Sequence, residues 1–284
     1  MHLHSRRSFL GLVAGGVLSA GPLAGCGSGG GGGNAGSLSV IRFFPDRIHV
    51  AGRPERLPLG LADRNAVPQL DGPANLSATL STADGAELSQ LVAQRRSDGL
   101  PRAYYAFDIN VNQPGMYSLK PDVGNGDQEQ LFTVVEAGSL GFPAAGDPMP
   151  GFDTPTMADP RGVQPVCTRP EPCPFHQVTL TEALASAKPV AYLVGTPAHC
   201  QTAICGPVLD LLIEAAKEFP QVTYIHSEIY ADEDGTAIAP AVEALALPFE
   251  PLLYLVGADG VVTRRLDVIY DRAELKAALT ELVA

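Results

Sequence analysis

The sequence predicts two folded parts of different class, an all-β sandwich followed by an α/β domain. Between residues 38 and 137, short strand-like stretches recur with turn residues between them and without a helical pattern, which is typical of a sandwich. Residues 138–178 are rich in Pro and Gly and mark the boundary. From residue 179 onward strand and helix patterns alternate, which indicates an α/β domain over residues 138–284.

Residues 1–25 have the layout of an export signal. Arg6 and Arg7 precede an apolar stretch from Phe9 to Leu23, which is shorter than the roughly 20 residues that a membrane span needs. The letters SRRSFL resemble the twin-arginine motif, and LAGC, which ends at Cys26, resembles the bacterial lipobox. These resemblances imply that residues 1–25 are removed and that Cys26 carries lipid. A plain cleaved signal and a membrane anchor are the alternatives.

Lipidation of Cys26 would leave four of the five cysteines, an even number, outside the cytoplasm, where disulfides persist. Residues 26–37 continue as a Gly-rich tether, which we expect to hold the folded part off the membrane. The net charge is -12, and loss of Arg6 and Arg7 makes it -14. We therefore expect an extracytoplasmic protein, lipid-anchored to the bacterial cell membrane, and no nucleic-acid partner.

The first folded part, residues 38–137, carries no group that we assign to catalysis. It contains no Cys and one His, His49. Its end, residues 114–136 (PGMYSLKPDVGNGDQEQLFTVVE), resembles the last hairpin of immunoglobulin-like domains. The resemblance implies an immunoglobulin-like sandwich, which we interpret as a spacer or docking module.

The second part is predicted to fold in the order β-α-β-α-β-β-α after a short first helix. Thr179 and Glu182 form a capping box for that helix, which runs to Ala187. Continuous apolar runs predict buried strands, and helical spacing of apolar residues predicts the helices between them. The strands are expected at 189–194, 222–225, 251–256 and 261–266, and the helices at 200–219, 237–245 and 271–282.

Three stretches of residues 146–284 resemble the thioredoxin-like superfamily. They are GDPMPGF, PVAYLV running into TPAHCQTAICGPVLDLL, and FEPLLYLVGADGVV. The resemblance implies a thioredoxin-like fold, thiol–disulfide chemistry without a bound cofactor, and a cis-proline beside the reactive cysteines, which falls on Pro251.

The cysteine pair departs from the C-x-x-C of that family. Cys200 and Cys205 form a C-x4-C, preceded by His199. Within one helix their Cα atoms would lie about 8.6 Å apart, beyond the roughly 6.8 Å limit for a disulfide. Either Cys200 precedes the helix or the first turn unwinds. In the first case the helix dipole favours a thiolate on Cys200; a protonated His199 would add to this, and Glu250 would oppose it if it points at the site.

Cys167 and Cys173 form a second pair. Five residues, two of them Pro, separate the two cysteines, and we interpret the pair as a structural disulfide. Disulfide exchange with Cys200 or Cys205, as a relay, is an alternative.

A metal site is a further alternative for the same region. Cys173, His176, His199 and Cys200 combine soft thiolates with imidazoles, which suit Cu(I) or Zn²⁺. No paired C-x-x-C motif supports zinc, so the sequence does not predict a metal site. His226 is expected at the surface or in packing.

These observations predict a membrane-anchored thiol–disulfide oxidoreductase of thioredoxin-like type that acts on exported thiol or disulfide proteins. Cys200 is the expected attacking thiolate and Cys205 the resolving thiol, while Pro251 shapes the substrate groove and His199 tunes the thiol pKa. A non-catalytic lipoprotein module with structural disulfides is the main alternative. A copper chaperone is another, as is a thiol peroxidase, because C-x4-C also resembles a branch of peroxiredoxins whose remaining signature the sequence lacks at two positions.

Overall fold

The larger of two β-sheets is one continuous layer of eight strands. The computed structural model describes residues 38–124 and 128–284. The strands of this sheet are β1 (Ser39–Arg42), β2 (His49–Val50), β3 (Pro54–Ala62), β4 (Asn75–Thr82), β5 (Glu87–Arg96), β6 (Tyr104–Asn110), β7 (Gly115–Pro121) and β8 (Gln130–Val135). They lie in the order β1-β3-β6-β5-β4-β7-β8-β2. All neighbours are antiparallel except β2 and β8, which are parallel.

This sheet curls around its own core. Along β4 exposed and buried residues alternate, because successive side chains of a strand point to opposite faces. The inward side chains come from strands on both flanks of the sheet and include Leu59, Leu80, Phe107 and Phe132. One face of the sheet therefore supplies a complete core by itself.

The smaller sheet has four strands and lies among four helices. Its strands are β9 (Val190–Val194), β10 (Thr223–Ser227), β11 (Leu252–Val256) and β12 (Val262–Asp267), and the helices are α1 (Leu180–Ala185), α2 (Cys205–Glu218), α3 (Pro240–Leu245) and α4 (Arg272–Leu282). The order is β10-β9-β11-β12, with β9 parallel to β10 and β11 antiparallel to both neighbours. Every residue of β9 and β11 is buried, because separate apolar clusters cover the two faces.

The individual elements of this part agree with the sequence patterns. The predicted strand and helix order is the observed order. The capping box is confirmed: the Thr179 hydroxyl accepts from the Glu182 N–H, and the Glu182 side chain accepts from the Thr179 N–H. Among the described helices, none is long and apolar enough to cross a membrane.

Residues 136–179 connect the two sheets without forming a helix or a strand. Backbone hydrogen bonds hold them at both ends. The Gly146 N–H donates to the Val262 carbonyl over 2.7 Å, and the Phe175 carbonyl accepts from the His226 N–H over 3.2 Å. This connection follows the second sheet from β12 to β10.

A buried ion pair joins the first sheet to the end of the chain. The Arg56 guanidinium on β3 donates to both carboxylate oxygens of Glu274 on α4, over 2.6 and 2.7 Å. It also donates to the carbonyls of Asp267, over 3.1 Å, and Ile269, while the Tyr104 hydroxyl donates to Glu274. Burial opposes ionisation of Glu274, but the Arg56 guanidinium outweighs it and lowers the Glu274 pKa. The described residues accordingly belong to one compact unit.

The predicted fold class, an α/β thioredoxin-like fold preceded by an immunoglobulin-like sandwich, is wrong. The described chain is mainly β, with helices in 15% of it, and its first half is one curled sheet instead of two facing sheets. A sheet that encloses its own core needs no second sheet. In the second half the Pro/Gly-rich stretch forms no regular element, and two of the helical patterns give helices of only six residues.

Replacement of Arg56 by Met should destabilise the protein by about 3–5 kcal/mol, because Glu274 would remain buried without its partner. Urea unfolding followed by circular dichroism measures this change in the free energy of unfolding. Arg264→Ala is the control, since the Arg264–Glu281 pair is exposed and should contribute at most about 1 kcal/mol. Equal effects of the two substitutions would contradict the assigned role of Arg56.

Candidate redox site at the start of helix α2

Cys200 and Cys205 form a disulfide at the N-terminus of α2. Cys205 is the first residue of the helix, whereas Cys200 lies in the loop after β9. Their Cα atoms are 5.9 Å apart, within the range that a disulfide spans. Of the two arrangements left open by the spacing, the structure has the one in which Cys200 precedes the helix.

The two sulfurs differ in exposure. Cys205 is 1% exposed, whereas Cys200 is partly exposed. The Cys205 backbone N–H donates to the Cys200 Sγ over 3.2 Å. After reduction, this N–H and the positive end of the helix dipole would stabilise a thiolate on Cys200. Cys200 is therefore the sulfur that an external thiol or disulfide can reach.

Pro251 and Gly195 form a close wall beside the disulfide. The Glu250–Pro251 peptide bond is cis, which confirms the predicted isomer. Gly195 follows β9, and a Cβ atom at this position would lie 3.1 Å from the Pro251 Cβ and 3.8 Å from the Cys205 Cβ. Glycine is therefore the residue that lets the end of β9 approach the start of β11 so closely.

Glu250 is a functional candidate that the sequence analysis did not include among the site residues. Its Oε2 accepts from the Thr196 N–H over 2.7 Å and lies 3.6 Å from the Cys205 Sγ. Burial raises the pKa of Glu250 to about 7, against the opposing effect of the Thr196 hydrogen bond. The carboxyl group can therefore exchange a proton with the Cys205 sulfur near neutral pH. The sequence signal that could have identified Glu250 is its position directly before the expected cis-proline, Pro251.

His199, the predicted modulator of the thiol pKa, has its ring fixed by another part of the chain. Its Nε2 lies 3.0 Å from the Glu233 carbonyl oxygen, and its ring meets Tyr230 edge to face at 5.4 Å. The ring also lies against Gly235, where a Cβ atom would come within 2.9 Å of the His199 Nδ1. His199 is adjacent to Cys200 in sequence, but its imidazole contacts Glu233, Tyr230 and Gly235.

Cys167 and Cys173 are not joined to each other or to the Cys200–Cys205 pair. Both are free thiols, 4% and 3% exposed, so the structure does not contain the predicted structural disulfide or the relay. The physical reason is that both sulfurs face imidazoles. Hydrogen bonds from Cys173 and the imidazoles of His176 and His226 lower the pKa of Cys167 despite its burial.

The metal-ligand set considered from the sequence is also revised. The structure brings together only Cys173 and His176 of that set, because Cys200 is bonded to Cys205 and the imidazole of His199 contacts Glu233. His226, expected at the surface or in packing, is 1% exposed and joins the buried thiols. The lipidation residue Cys26 lies outside the described residues.

Comparison with known proteins shows no family. No family model matches the chain, and no curated protein matches it. One of the solved structures that match is trypsin-activated alpha-2-macroglobulin from Escherichia coli, with 19% identity and a TM-score of 0.29. The match covers 44% of this chain and 8% of that chain.

Alkylation of the reduced protein should label Cys200 before Cys205, because Cys200 is partly exposed and Cys205 is buried. Brief treatment with iodoacetamide and peptide mapping by mass spectrometry measures the order. The same reaction in denaturant is the control and should label both residues at one rate. Faster labelling of Cys205 in the folded protein would reverse the assignment of the accessible sulfur.

Proposed function

We propose that the protein catalyses thiol–disulfide exchange through Cys200 and Cys205. The observation that carries the proposal is a disulfide with one accessible sulfur in front of a helix N-terminus and one buried sulfur beside a protonatable carboxyl group. A purely structural disulfide needs neither the difference in exposure nor Glu250. The substrates are exported proteins with thiols or disulfides.

Exchange proceeds in two displacements, through a mixed disulfide between Cys200 and the substrate. A substrate thiolate attacks the Cys200 Sγ, the Cys200–Cys205 bond breaks, and Cys205 leaves as a thiolate that takes the proton of Glu250. A second substrate thiolate then attacks the substrate sulfur in the mixed disulfide and releases Cys200 as a thiolate. The substrate is oxidised by two electrons and the protein is reduced by two. The same steps in reverse reduce a substrate disulfide.

The place of action in this proposal is the outer side of the bacterial cell membrane. Support comes from the sequence: the twin-arginine-like SRRSFL, the lipobox-like LAGC and the Gly-rich stretch that follows Cys26. A protein in this compartment meets substrates whose cysteines are being oxidised, since disulfides form and persist there. Lipid on Cys26 would keep Cys200 close to proteins that emerge at the membrane.

A Cys205→Ser variant should stop the reduction of a substrate disulfide at the mixed disulfide, because Cys205 supplies the second displacement in that direction. With the reduced wild-type protein and an aromatic disulfide such as 5,5′-dithiobis(2-nitrobenzoate), Cys200 and Cys205 together release two thiol equivalents and form their own disulfide. The variant should release one equivalent at Cys200 and retain the other half of the reagent, as measured by absorbance and intact mass.

Cys200→Ser is the matched control and should abolish the rapid release, although Cys205 remains. If Cys200→Ser reacts as fast as the wild type, the proposal fails. A Cys200–Cys205 reduction potential below about −300 mV would also count against it, because structural disulfides lie in that range.

Glu250→Gln should shift the pH dependence of closure of the mixed disulfide to higher pH. Cys205 must lose its proton to attack, and the Glu250 carboxylate accepts it, so the wild-type rate should rise as the pH increases through about 7. The charged neighbours act in both directions: Glu228 raises the pKa of Glu250, whereas His199 and His226 lower it. In the variant the rise should move towards the ordinary thiol pKa of about 8.5.

Stopped-flow measurement of single-turnover closure between pH 5 and 9 tests this expectation. Glu243→Gln, on the exposed side of α3, is the control and should leave the profile unchanged. An unchanged profile in Glu250→Gln would remove Glu250 from the mechanism.

A further inference from the structure

Four potential metal ligands meet in a buried cluster outside the disulfide site. Cys167, Cys173 and His176 come from the irregular connection, and His226 comes from β10. Their exposed fractions are 4%, 3%, 1% and 1%. Their ligand atoms, two sulfurs and two ring nitrogens, all lie within 4.8 Å of one another. Polar groups buried to this extent need partners that satisfy them.

The distances in this Cys₂His₂ cluster fit the edges of a tetrahedron around one ion. Zn–S bonds of about 2.3 Å and Zn–N bonds of about 2.05 Å place ligand atoms roughly 3.4 Å apart for N···N and roughly 3.6 Å for S···N. The His176 Nε2 and His226 Nδ1 are 3.3 Å apart. Cys173 Sγ lies 3.2 and 3.5 Å from these nitrogens, and Cys167 Sγ lies 3.9 Å from His226 Nδ1.

The surrounding hydrogen bonds orient the imidazole of His226 for ligation. Its Nε2 lies 2.8 Å from the Gly195 carbonyl oxygen, which can only accept, so Nε2 carries the proton. In the neutral imidazole Nδ1 therefore directs a lone pair into the cluster. Metal-bound histidines characteristically donate their other N–H to a carbonyl or carboxylate in this way. The Nδ1 of His176 has no hydrogen-bond partner among the described residues, so the polar contacts of this ring are those of Nε2 in the cluster.

We propose that Cys167, Cys173, His176 and His226 bind one Zn²⁺ ion in a closed structural site. Two sulfur and two nitrogen ligands at tetrahedral spacing are the donor set of structural zinc. Binding displaces the two thiol protons into solvent, and two thiolates then balance the two charges of the ion. The buried site is thereby neutral. Four protein ligands leave no open position for a substrate, so the ion holds structure and does not take part in catalysis.

The site connects the irregular segment to the loop that carries Cys200. Thr168, the neighbour of Cys167, accepts from the Ala198 N–H over 3.1 Å through its hydroxyl. Arg169 pairs with Asp210 on α2 at 2.8 Å. Zinc at the cluster would therefore help to hold the loop that carries Cys200 against the irregular segment. The proposal does not depend on the proposed exchange activity.

The test is metal analysis of the full-length protein purified without chelator. We expect about one zinc per chain by mass spectrometry of the metal, and replacement by Co²⁺ should give the visible spectrum of tetrahedral cobalt with thiolate ligands. Cys173→Ser and His226→Gln should lose the stoichiometric metal. His199→Gln and the double variant Cys200→Ser/Cys205→Ser are the matched controls and should retain it.

A second measurement decides the question if the cluster variants do not fold. The wild-type protein is unfolded in alkylating reagent without reductant, and peptides are mapped by mass. Zinc ligation predicts alkylated Cys167 and Cys173 together with an intact Cys200–Cys205 disulfide. A Cys167–Cys173 disulfide, metal-free protein that binds neither Zn²⁺ nor Co²⁺, or control variants that lose the metal equally, would each overturn the proposal.

Discussion

The Arg56 guanidinium is the interaction on which the arrangement of the molecule depends. A buried charge is tolerated only when it is paired and its remaining donors are satisfied, and Arg56 meets both conditions with groups at the end of β12 and the start of α4. These groups thereby fix the edge of the small sheet against β3. Val268, which follows Asp267 at the end of β12, donates its N–H to the Pro251 carbonyl over 2.8 Å. The position of the cis-proline therefore follows from the packing of the two halves.

The disulfide site illustrates how ends of regular elements supply chemistry. β9 ends before Gly195, β11 begins after Pro251, and α2 begins at Cys205. The strands are buried, whereas the loop with Cys200 lies partly in solvent. This arrangement gives the two sulfurs different environments although only four residues separate them. Glu250 adds a proton-exchanging group to the buried side.

Local features were predictable from the sequence, and contacts distant in sequence were not. The capping box at Thr179 and the strand order after residue 189 depend on residues close in sequence. The curled sheet depends on pairings such as β1 with β3, and the Arg56–Glu274 pair joins residues 218 positions apart. The alternation of apolar and polar residues along a strand does not show which strands pair. The strands of residues 38–137 were therefore wrongly assigned to two facing sheets.

The same limit explains the revised cysteine pair. The short spacing of Cys167 and Cys173 indicated a disulfide, because proximity in sequence was the only distance available. His226 lies fifty residues beyond His176, and the hydrogen bond from its N–H to the Phe175 carbonyl holds β10 beside the segment that carries the thiols. Glu250 was noted as a possible opponent of a thiolate on Cys200, but the structure places its carboxyl group near the Cys205 sulfur.

The irregular connection between the sheets has a consequence for degradation. A protease needs an extended, accessible stretch of chain, and long connections are the usual sites of cleavage. Here many of the side chains of residues 136–179 are buried, among them Thr154, Val163 and Phe175. Cleavage at these buried positions would require the segment to detach first, so its rate there follows the population of the opened form. Where its side chains are buried, the connection is thus protected by its contacts, and resistance to proteases at those positions is a property of the whole folded unit.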